Sequence, residues 1–483
     1  MRLPVFLLVT LAFSAPARAA SRIPLSPCRL KNSAAQATCG VLEVPEDRAA
    51  PEKRRIRLRV AVVPSLARSP QPDPLFMLAG GPGQAATEVF GPLLVALDRV
   101  HRTRDIVLVD QRGTGSSNPL QCEVAKEDAP LAEQLRAGEG DTDPALRECL
   151  AKWDADPRFY TTSIAMQDLD QVRDALGYDR IDLWGGSYGT RAALVYIREH
   201  GQHVRTATLD GVAPTDLALP LWFARDAQRA LDLLFDACAQ DTGCARAYPD
   251  LRGTFAKLLR ELERAPAKAS VLDPVTGRPT DVTISRESFT SALRGILYLP
   301  DLAVLVPLTI ARAAQGDWGP FVAEAAGLQR GFARSVALGM LFSVACAEDV
   351  PTFTDADVGR AAAGTFLGAS FIRRFAHVCS FWPRGEVPES FHDPVRSDVP
   401  VLLLSGELDP VTPPSWAAEA ARTLPRHLSI VVPGVGHGAT SEGCTGQLVA
   451  RFIEAGTLDG LDASCAQRLK RPPFFLSFAG PLP

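Results

Sequence analysis

Short runs of aliphatic and β-branched residues recur in two stretches of the chain and predict β-strands. They lie at residues 56–63, 75–78, 106–109, 181–184, 207–209, 401–404 and 428–432. Several runs are apolar at every position, which is typical of strands covered by helices on both faces.

Helix-period patterns separate these predicted strands, at residues 164–176, 188–199, 416–423 and 447–454. Parallel strands need crossover connections, and helices commonly supply them. The alternation therefore predicts an α/β fold with a mostly parallel sheet flanked by helices.

The alternation stops near residue 212 and resumes at residue 399. Between them lie helix-period patterns at 221–235, 251–262, 287–297, 302–314 and 335–342. We therefore expect a sheet domain in two parts, 21–212 and 399–483, with a mainly helical insertion at 213–398. Such an insertion can cover the carboxyl edge of the sheet, where ligands bind in open α/β folds, so we interpret it as a cap. An independent domain with its own role is the alternative.

Residues 1–20 have the features of a secretory signal peptide. Arg2 supplies a positive charge near the N-terminus, residues 3–13 form an apolar run, and residues 17–19 resemble a small-residue cleavage site. A buried N-terminal helix is the alternative, which the prolines in this stretch disfavour. No later run approaches the roughly 18 to 20 apolar residues of a membrane span. We expect an exported protein, periplasmic or secreted, with no membrane span.

The overall composition is that of a soluble globular protein, with 46% hydrophobic and 22% charged residues. The formal net charge of -4 at pH 7 offers no basic surface for nucleic acid or anionic lipid. No nucleic-acid partner is therefore expected, and small neutral or peptidic substrates remain.

Ten cysteines gain meaning from the predicted export, because disulfides persist in oxidising compartments. Ten cysteines can pair in on the order of a thousand ways, so the sequence suggests a scheme without excluding others. Free buried thiols are the alternative if the chain is not exported. No CxxC or His-rich spacing indicates a metal site, and none is expected. The neighbouring couples along the chain are Cys28 with Cys39, Cys122 with Cys149, Cys238 with Cys244, Cys346 with Cys379, and Cys444 with Cys465.

The sequence Gly185-Gly186-Ser187-Tyr188-Gly189 directly follows one predicted strand and opens a predicted helix. Glycines allow a sharp strand-to-helix turn that exposes the serine hydroxyl above the sheet, so Ser187 is the candidate nucleophile. The amide of Tyr188, at the helix N-terminus, is a candidate oxyanion donor.

A second glycine-rich turn, at residues 79–83, follows the predicted strand 75–78. This is where the same arrangement takes its other oxyanion donor, and the amide of Gly81 is the candidate. An ordinary strand-ending turn is the alternative.

Two further strands end in loops that carry an acid and a histidine. Asp409 follows the strand 401–404 and precedes Pro410, which stiffens the loop; Glu407 is the rival acid and lies nearer the strand. His437 lies among glycines after the strand 428–432, where its ring is free to reach a neighbour. The order serine, acid, histidine is that of α/β-hydrolases, so the sequence predicts this fold with Ser187, Asp409 and His437 as a catalytic triad.

Three motifs together resemble the prolyl and tripeptidyl aminopeptidase group of α/β-hydrolases: residues 80–83 (GGPG), 110–116 (DQRGTGS) and 185–189 (GGSYG). The stretch 399–438 is similar to the C-terminal block of the tripeptidyl branch. The resemblance covers about residues 39–215 and 399–455. Ala79 replaces the histidine that many prolyl aminopeptidases carry there, which weakens a proline-specific reading.

The resemblance implies release of an N-terminal residue or short peptide, with a peptide carrying a free N-terminus as the substrate. A desolvated α-ammonium needs a carboxylate partner. Members of the group use glutamates of the cap for this purpose, which makes Glu348 the candidate; a solvent-facing acid is the alternative.

The expected chemistry is acyl transfer through Ser187, with no metal or organic cofactor. An esterase or lipase of the same fold acting on small esters is the nearest alternative, because the triad alone does not set the substrate. A catalytically inactive binding protein is an alternative of a different class.

Overall fold

The computed structural model describes residues 23–124, 129–135 and 142–481, apart from the side chains of residues 329–334. The predicted signal peptide at 1–20 lies outside the described residues.

Within the described residues the strands are β1 (Ser26–Arg29), β2 (Gln36–Pro45), β3 (Arg55–Val63), β4 (Leu75–Leu78), β5 (Ile106–Val109), β6 (Ile181–Gly186), β7 (Val204–Asp210), β8 (Ala267–Leu272), β9 (Pro279–Ile284), β10 (Val401–Gly406) and β11 (His427–Val432). Those of the central sheet lie in the order β1-β2-β3-β5-β4-β6-β7-β10-β11. From β5 to β11 every neighbouring pair is parallel, whereas β3 is antiparallel to both of its neighbours. The predicted mostly parallel sheet is confirmed.

The helices of the described part are α1 (Ala86–Val89), α2 (Leu93–Ala96), α3 (Asp98–His101), α4 (Leu131–Leu135), α5 (Asp143–Lys152), α6 (Thr162–Leu176), α7 (Tyr188–His200), α8 (Phe223–Gln240), α9 (Thr242–Ala247), α10 (Leu251–Arg264), α11 (Arg286–Ile296), α12 (Pro300–Ala303), α13 (Val306–Ala313), α14 (Gly319–Ser335), α15 (Leu338–Val344), α16 (Asp355–Ala362), α17 (Ser370–Cys379), α18 (Pro414–Ala421) and α19 (Thr445–Ala455). A π-helical turn, Ala345–Asp349, continues α15.

Apolar clusters cover both faces of the central sheet. In β4, Phe76 and Leu78 pack into the cluster that includes α6 and α7, whereas Leu75 and Met77 pack into the cluster that includes α19. Successive side chains of a strand point to opposite faces, so a strand covered on both sides must be apolar throughout.

The stretch between β7 and β10 is mainly helical and has an apolar core of its own. That core is built from α8, α10, α11, α13 and α14, together with the antiparallel hairpin of β8 and β9. It also takes in Leu131, Leu135 and Phe474 from outside the range 213–398. Conversely, Met340 and Phe391 pack into the core of the central sheet. Each of the two cores therefore contains residues from both the predicted sheet domain and the predicted insertion.

Each of the five neighbouring cysteine couples is joined in the structure: Cys28–Cys39, Cys122–Cys149, Cys238–Cys244, Cys346–Cys379 and Cys444–Cys465. Within the described ranges, no helix combines the length and the apolar character that crossing a bilayer requires.

Candidate active site

Ser187 occupies the turn between β6 and α7. Its backbone φ of 57° and ψ of -125° lie in a region that side-chain-bearing residues rarely adopt. The turn is tight, because a Cβ on Gly189 would lie 2.1 Å from the carbonyl oxygen of Leu78. This strained strand-to-helix turn is the geometry that presents a nucleophilic serine in α/β-hydrolases.

Asp409 and His437 are in direct contact. Oδ2 of Asp409 lies 2.8 Å from Nδ1 of His437. Oδ1 of the same carboxylate accepts the backbone N–H groups of Val411 and Thr412, at 2.9 and 2.8 Å. The loop after β10 therefore fixes the carboxylate before it meets the imidazole.

Glu407, the rival acid, has a different partner. Its Oε2 accepts the backbone N–H of Gly434 at 2.9 Å, on the turn that leads toward His437. Of the two acids, the structure places Asp409, and not Glu407, against the histidine ring.

Asp210, at the end of β7, connects the serine turn to the histidine loop. Its carbonyl oxygen accepts the N–H of Ser187 at 2.9 Å. Its carboxylate accepts the N–H groups of Ala439 and Thr440, just after His437. The next residue, Gly211, lies against the imidazole, since a Cβ there would be 3.1 Å from Cε1 of His437.

The described hydrogen bonds of the His437 ring reach Asp409 and Thr412, and none joins the ring to Ser187 Oγ. Such catalytic hydrogen bonds are often long in the free enzyme and tighten when substrate binds. Ser187 and His437 each adjoin the Asp210–Gly211 junction, Ser187 through its N–H and His437 through its ring.

The environment of the pair shifts both pKa values. Burial alone would lower the pKa of His437, but the charge and hydrogen bond of Asp409 outweigh it and raise that pKa above its ordinary value of 6.5. Burial would raise the pKa of Asp409, but His437 and the loop hydrogen bonds hold it below its ordinary value. The arrangement favours an ionised acid beside a base of increased proton affinity.

The candidate oxyanion donors lie on either side of Ser187. The turn at 79–83 packs against the serine, because a Cβ on Gly80 would be 3.1 Å from the Ser187 Cβ. Among the described residues, the amides of Gly81 and Tyr188 donate to no protein acceptor.

Glu348 is fully buried in the π-helical turn, so it is not a solvent-facing acid. Its carboxylate accepts the backbone N–H of Thr162 at 2.6 Å and the Thr162 hydroxyl at 2.8 Å. That hydroxyl lies 2.7 Å from the hydroxyl of Tyr188. Burial raises the pKa of Glu348 to about 7, although the charge of Arg191 opposes the shift. The candidate for ammonium binding is thus linked through Thr162 to the side chain of Tyr188, the residue after Ser187.

The motif at 110–116 has a structural role in the described contacts. The carboxylate of Asp110 accepts the N–H and the hydroxyl of Thr87, both at 2.9 Å. The buried guanidinium of Arg112 donates to both oxygens of Asp168, at 2.7 and 2.9 Å. These bonds tie the loop after β5 to α1 and α6.

Sequence reasoning missed Thr412 and Tyr298. The hydroxyl of Thr412 donates to Asp409 Oδ2 at 2.9 Å; the spacing Asp-x-x-Thr in a turn could have indicated this bond. Tyr298, from the cap, accepts the N–H of His437 on its carbonyl oxygen at 3.0 Å, and its ring packs edge-on against the imidazole. No pattern in the sequence predicts that contact. In the part of the chain that the structure describes, no group of three or more His, Cys, Asp or Glu side chains could hold a metal ion.

Comparisons with known proteins find peptidases among the relatives of this chain. A family model described as TAP-like protein matches residues 364–465, a range that includes Asp409 and His437. Serine protease Hip1 of Mycobacterium tuberculosis is 26% identical over 493 aligned residues, covering 91% of this chain and 90% of the relative. Tripeptidyl aminopeptidase of Streptomyces coelicolor is 32% identical over 190 residues, 36% of this chain and 35% of the relative. Among solved structures, proline iminopeptidase of Mycobacterium smegmatis aligns with 86% of this chain and 98% of its own, at 16% identity and a TM-score of 0.40.

The sheet order, the serine turn after β6 and the sequence relatives agree with one another. The resemblance to the peptidase group is confirmed: the chain is an enzyme with the α/β-hydrolase fold, similar in sequence to prolyl and tripeptidyl aminopeptidases over about a third of its length.

Proposed function

We propose that the chain is an exported serine aminopeptidase that releases an N-terminal residue or short peptide through Ser187, His437 and Asp409. The observation that carries the proposal is the 2.8 Å contact between Asp409 and His437, on loops beside the strained turn of Ser187.

In this mechanism Ser187 Oγ attacks the scissile carbonyl carbon while His437 takes the hydroxyl proton. Asp409 holds Nδ1–H of the imidazole and stabilises the positive charge that forms. The oxyanion accepts hydrogen bonds from the amides of Gly81 and Tyr188, which have no protein acceptor. His437 then protonates the leaving amine. In the second half of the reaction His437 takes a proton from water, which attacks the acyl carbon, and returns that proton to Ser187 Oγ as the acid product leaves.

Peptide substrates are supported by the relatives, which are named serine protease, tripeptidyl aminopeptidase and proline iminopeptidase. We further propose that the enzyme requires a free N-terminus on its peptide substrate. Its support is chemical, because an α-ammonium that leaves water needs a carboxylate partner. Glu348 is such a carboxylate, and the Thr162 hydroxyl links it to the Tyr188 hydroxyl by hydrogen bonds.

Export is supported by the disulfides, since five bonded couples are typical of an oxidising compartment. The signal-like sequence at 1–20 supports the same proposal. Periplasmic and secreted locations are both compatible with these features.

The deciding experiment is a panel of chromogenic anilides with one to three N-terminal residues, each with a free or an acetylated N-terminus, assayed beside p-nitrophenyl esters. We expect anilide turnover that acetylation abolishes and that Ser187→Ala eliminates together with fluorophosphonate labelling. Turnover of esters alone would reject the peptidase in favour of an esterase. Equal turnover of anilides with free and with acetylated N-termini would show that the enzyme does not require a free N-terminus.

A further inference from the structure

Arg294 of the cap lies on α11 without an acidic partner among the described residues. Its Nη1 donates to the hydroxyl of Tyr298 at 2.9 Å, while its Nε is buried and has no hydrogen-bond partner. Other arginines nearby are paired: Arg286 on the same helix lies 3.0 Å from Glu263, and Arg374 lies 3.9 Å from Glu287. A half-buried guanidinium with a free edge lacks the anion that would offset its desolvation.

Aromatic rings enclose the faces of this guanidinium. Its carbon lies 5.0 Å from the ring centroid of Phe371 and 5.6 Å from those of Phe223 and Tyr298. Rings that stack on a guanidinium hold its plane in a fixed orientation and leave the N–H groups at its edge for hydrogen bonds. The arginine is therefore preorganised to bind a planar anion.

Tyr298 connects this arginine to the catalytic base. The centroid of its ring lies 5.1 Å from that of the His437 imidazole. The positive charge of Arg294 also acts on His437, where it opposes the rise in pKa caused by Asp409. An anion bound by Arg294 would thus lie beside the site of acyl transfer, in the wall that the cap contributes.

We propose that Arg294 binds a carboxylate of the substrate and makes the enzyme selective for peptides that carry one near the scissile bond. The inference rests on the proposed function and deepens it by naming a substrate class. A carboxylate fits because it can take two parallel N–H bonds from the edge of a guanidinium. The carboxylate can come from the C-terminus of a short peptide or from an aspartate or glutamate side chain.

The test uses three tetrapeptides with free N-termini: tetraalanine with a C-terminal carboxylate, tetraalanine amide, and an amide with glutamate in the third or fourth position. Cleavage is followed by mass spectrometry to give kcat/KM. For the wild type we expect a preference of about 10-fold or more for at least one carboxylate peptide over tetraalanine amide, as expected for a hydrogen bond to a charged group. The preferred peptide identifies the source of the carboxylate.

In Arg294→Met, which keeps an apolar stem against the rings, that ratio should fall toward one. Arg374→Met, a matched variant at a cap arginine that has its own acid, should keep the ratio. If the wild type cleaves all three peptides without preference, this inference is wrong while the proposed function stands, and no variant is needed to show it. An unaltered ratio in folded Arg294→Met overturns it too. Cleavage of none of the peptides by the wild type would overturn the proposed function and this inference with it.

Discussion

Asp409 and His437, two members of the proposed catalytic triad, are in direct contact. Oδ2 of the carboxylate lies 2.8 Å from Nδ1 of the ring, and the N–H groups of Val411 and Thr412 hold the other oxygen. Since the acid is fully buried and fixed from the loop side, it can set the tautomer and the orientation of the ring.

Asp409→Asn should therefore abolish most of the activity while leaving the fold intact. We expect kcat to fall about 10⁴-fold, because the amide stabilises the wrong tautomer of the imidazole. Steady-state kinetics and a thermal unfolding scan measure the two effects.

Glu407→Gln is the matched control. Its side chain can still accept the N–H of Gly434, and it does not contact His437. We expect kcat close to that of the wild type. A larger loss in Glu407→Gln than in Asp409→Asn would assign the acid to Glu407.

The pH profile should report the raised pKa of His437. The base acts only when it is neutral, and the charge of Asp409 makes it hold its proton more tightly than an ordinary histidine. Activity is therefore present above this pKa and lost as the pH falls through it. We expect kcat/KM to be half-maximal above pH 6.5 and to fall about tenfold for each further unit of acidification. A profile that is flat from pH 5 to 8 would exclude histidine as the base.

Strands β4, β6 and β10 could be predicted from sequence because they are buried on both faces, whereas the edge strand β11 is partly exposed. The predicted ranges 75–78 and 106–109 coincide with β4 and β5, in which every residue is buried. β2 was missed, since its burial is irregular: apolar Val41 and Leu42 are partly exposed, so apolar and polar residues do not alternate along it. The hairpin of β8 and β9 was missed because most of its positions are exposed or partly exposed, so few buried apolar residues mark it.

Ser187, Asp409 and His437 could be proposed as a triad from the sequence because each follows an apolar strand in a turn of distinctive composition. Tyr298 and Asp210 were not, since their roles depend on tertiary contacts with His437 and its loop. The predicted helix at 302–314 is in fact α12 followed by α13, where Pro307 lies in the first turn of the second helix and cannot donate a backbone hydrogen bond to a preceding carbonyl.

The close approach of α7 to β4 predicts a large effect of a single methyl group. In Gly189→Ala the new Cβ would lie 2.1 Å from the carbonyl oxygen of Leu78, so backbone must move. We expect destabilisation of about 1–3 kcal/mol or more and a large loss of kcat through displacement of Ser187. Urea denaturation and anilide kinetics measure both.

Gly201→Ala, just after the other end of α7, is the matched control. Nothing lies within 4 Å of the new Cβ, and the backbone φ of -56° suits alanine. We expect stabilisation of about 0.4–1 kcal/mol through the unfolded state and ordinary activity. Equal effects of the two substitutions would contradict the tight turn.

Glu348→Gln separates binding of the substrate ammonium from a role behind the serine turn. If the carboxylate meets the ammonium, losing its charge should raise KM for free N-terminal anilides by about 10- to 100-fold, the value of a hydrogen bond between charged groups, with kcat little changed. Glu324→Gln is the control, since Glu324 is another cap glutamate whose pKa burial raises to about 7, and its described hydrogen bond is to Thr309. A fall in kcat with KM unchanged would instead mean that Glu348 acts through Thr162 on the Tyr188 side chain, and would remove it from the ammonium site.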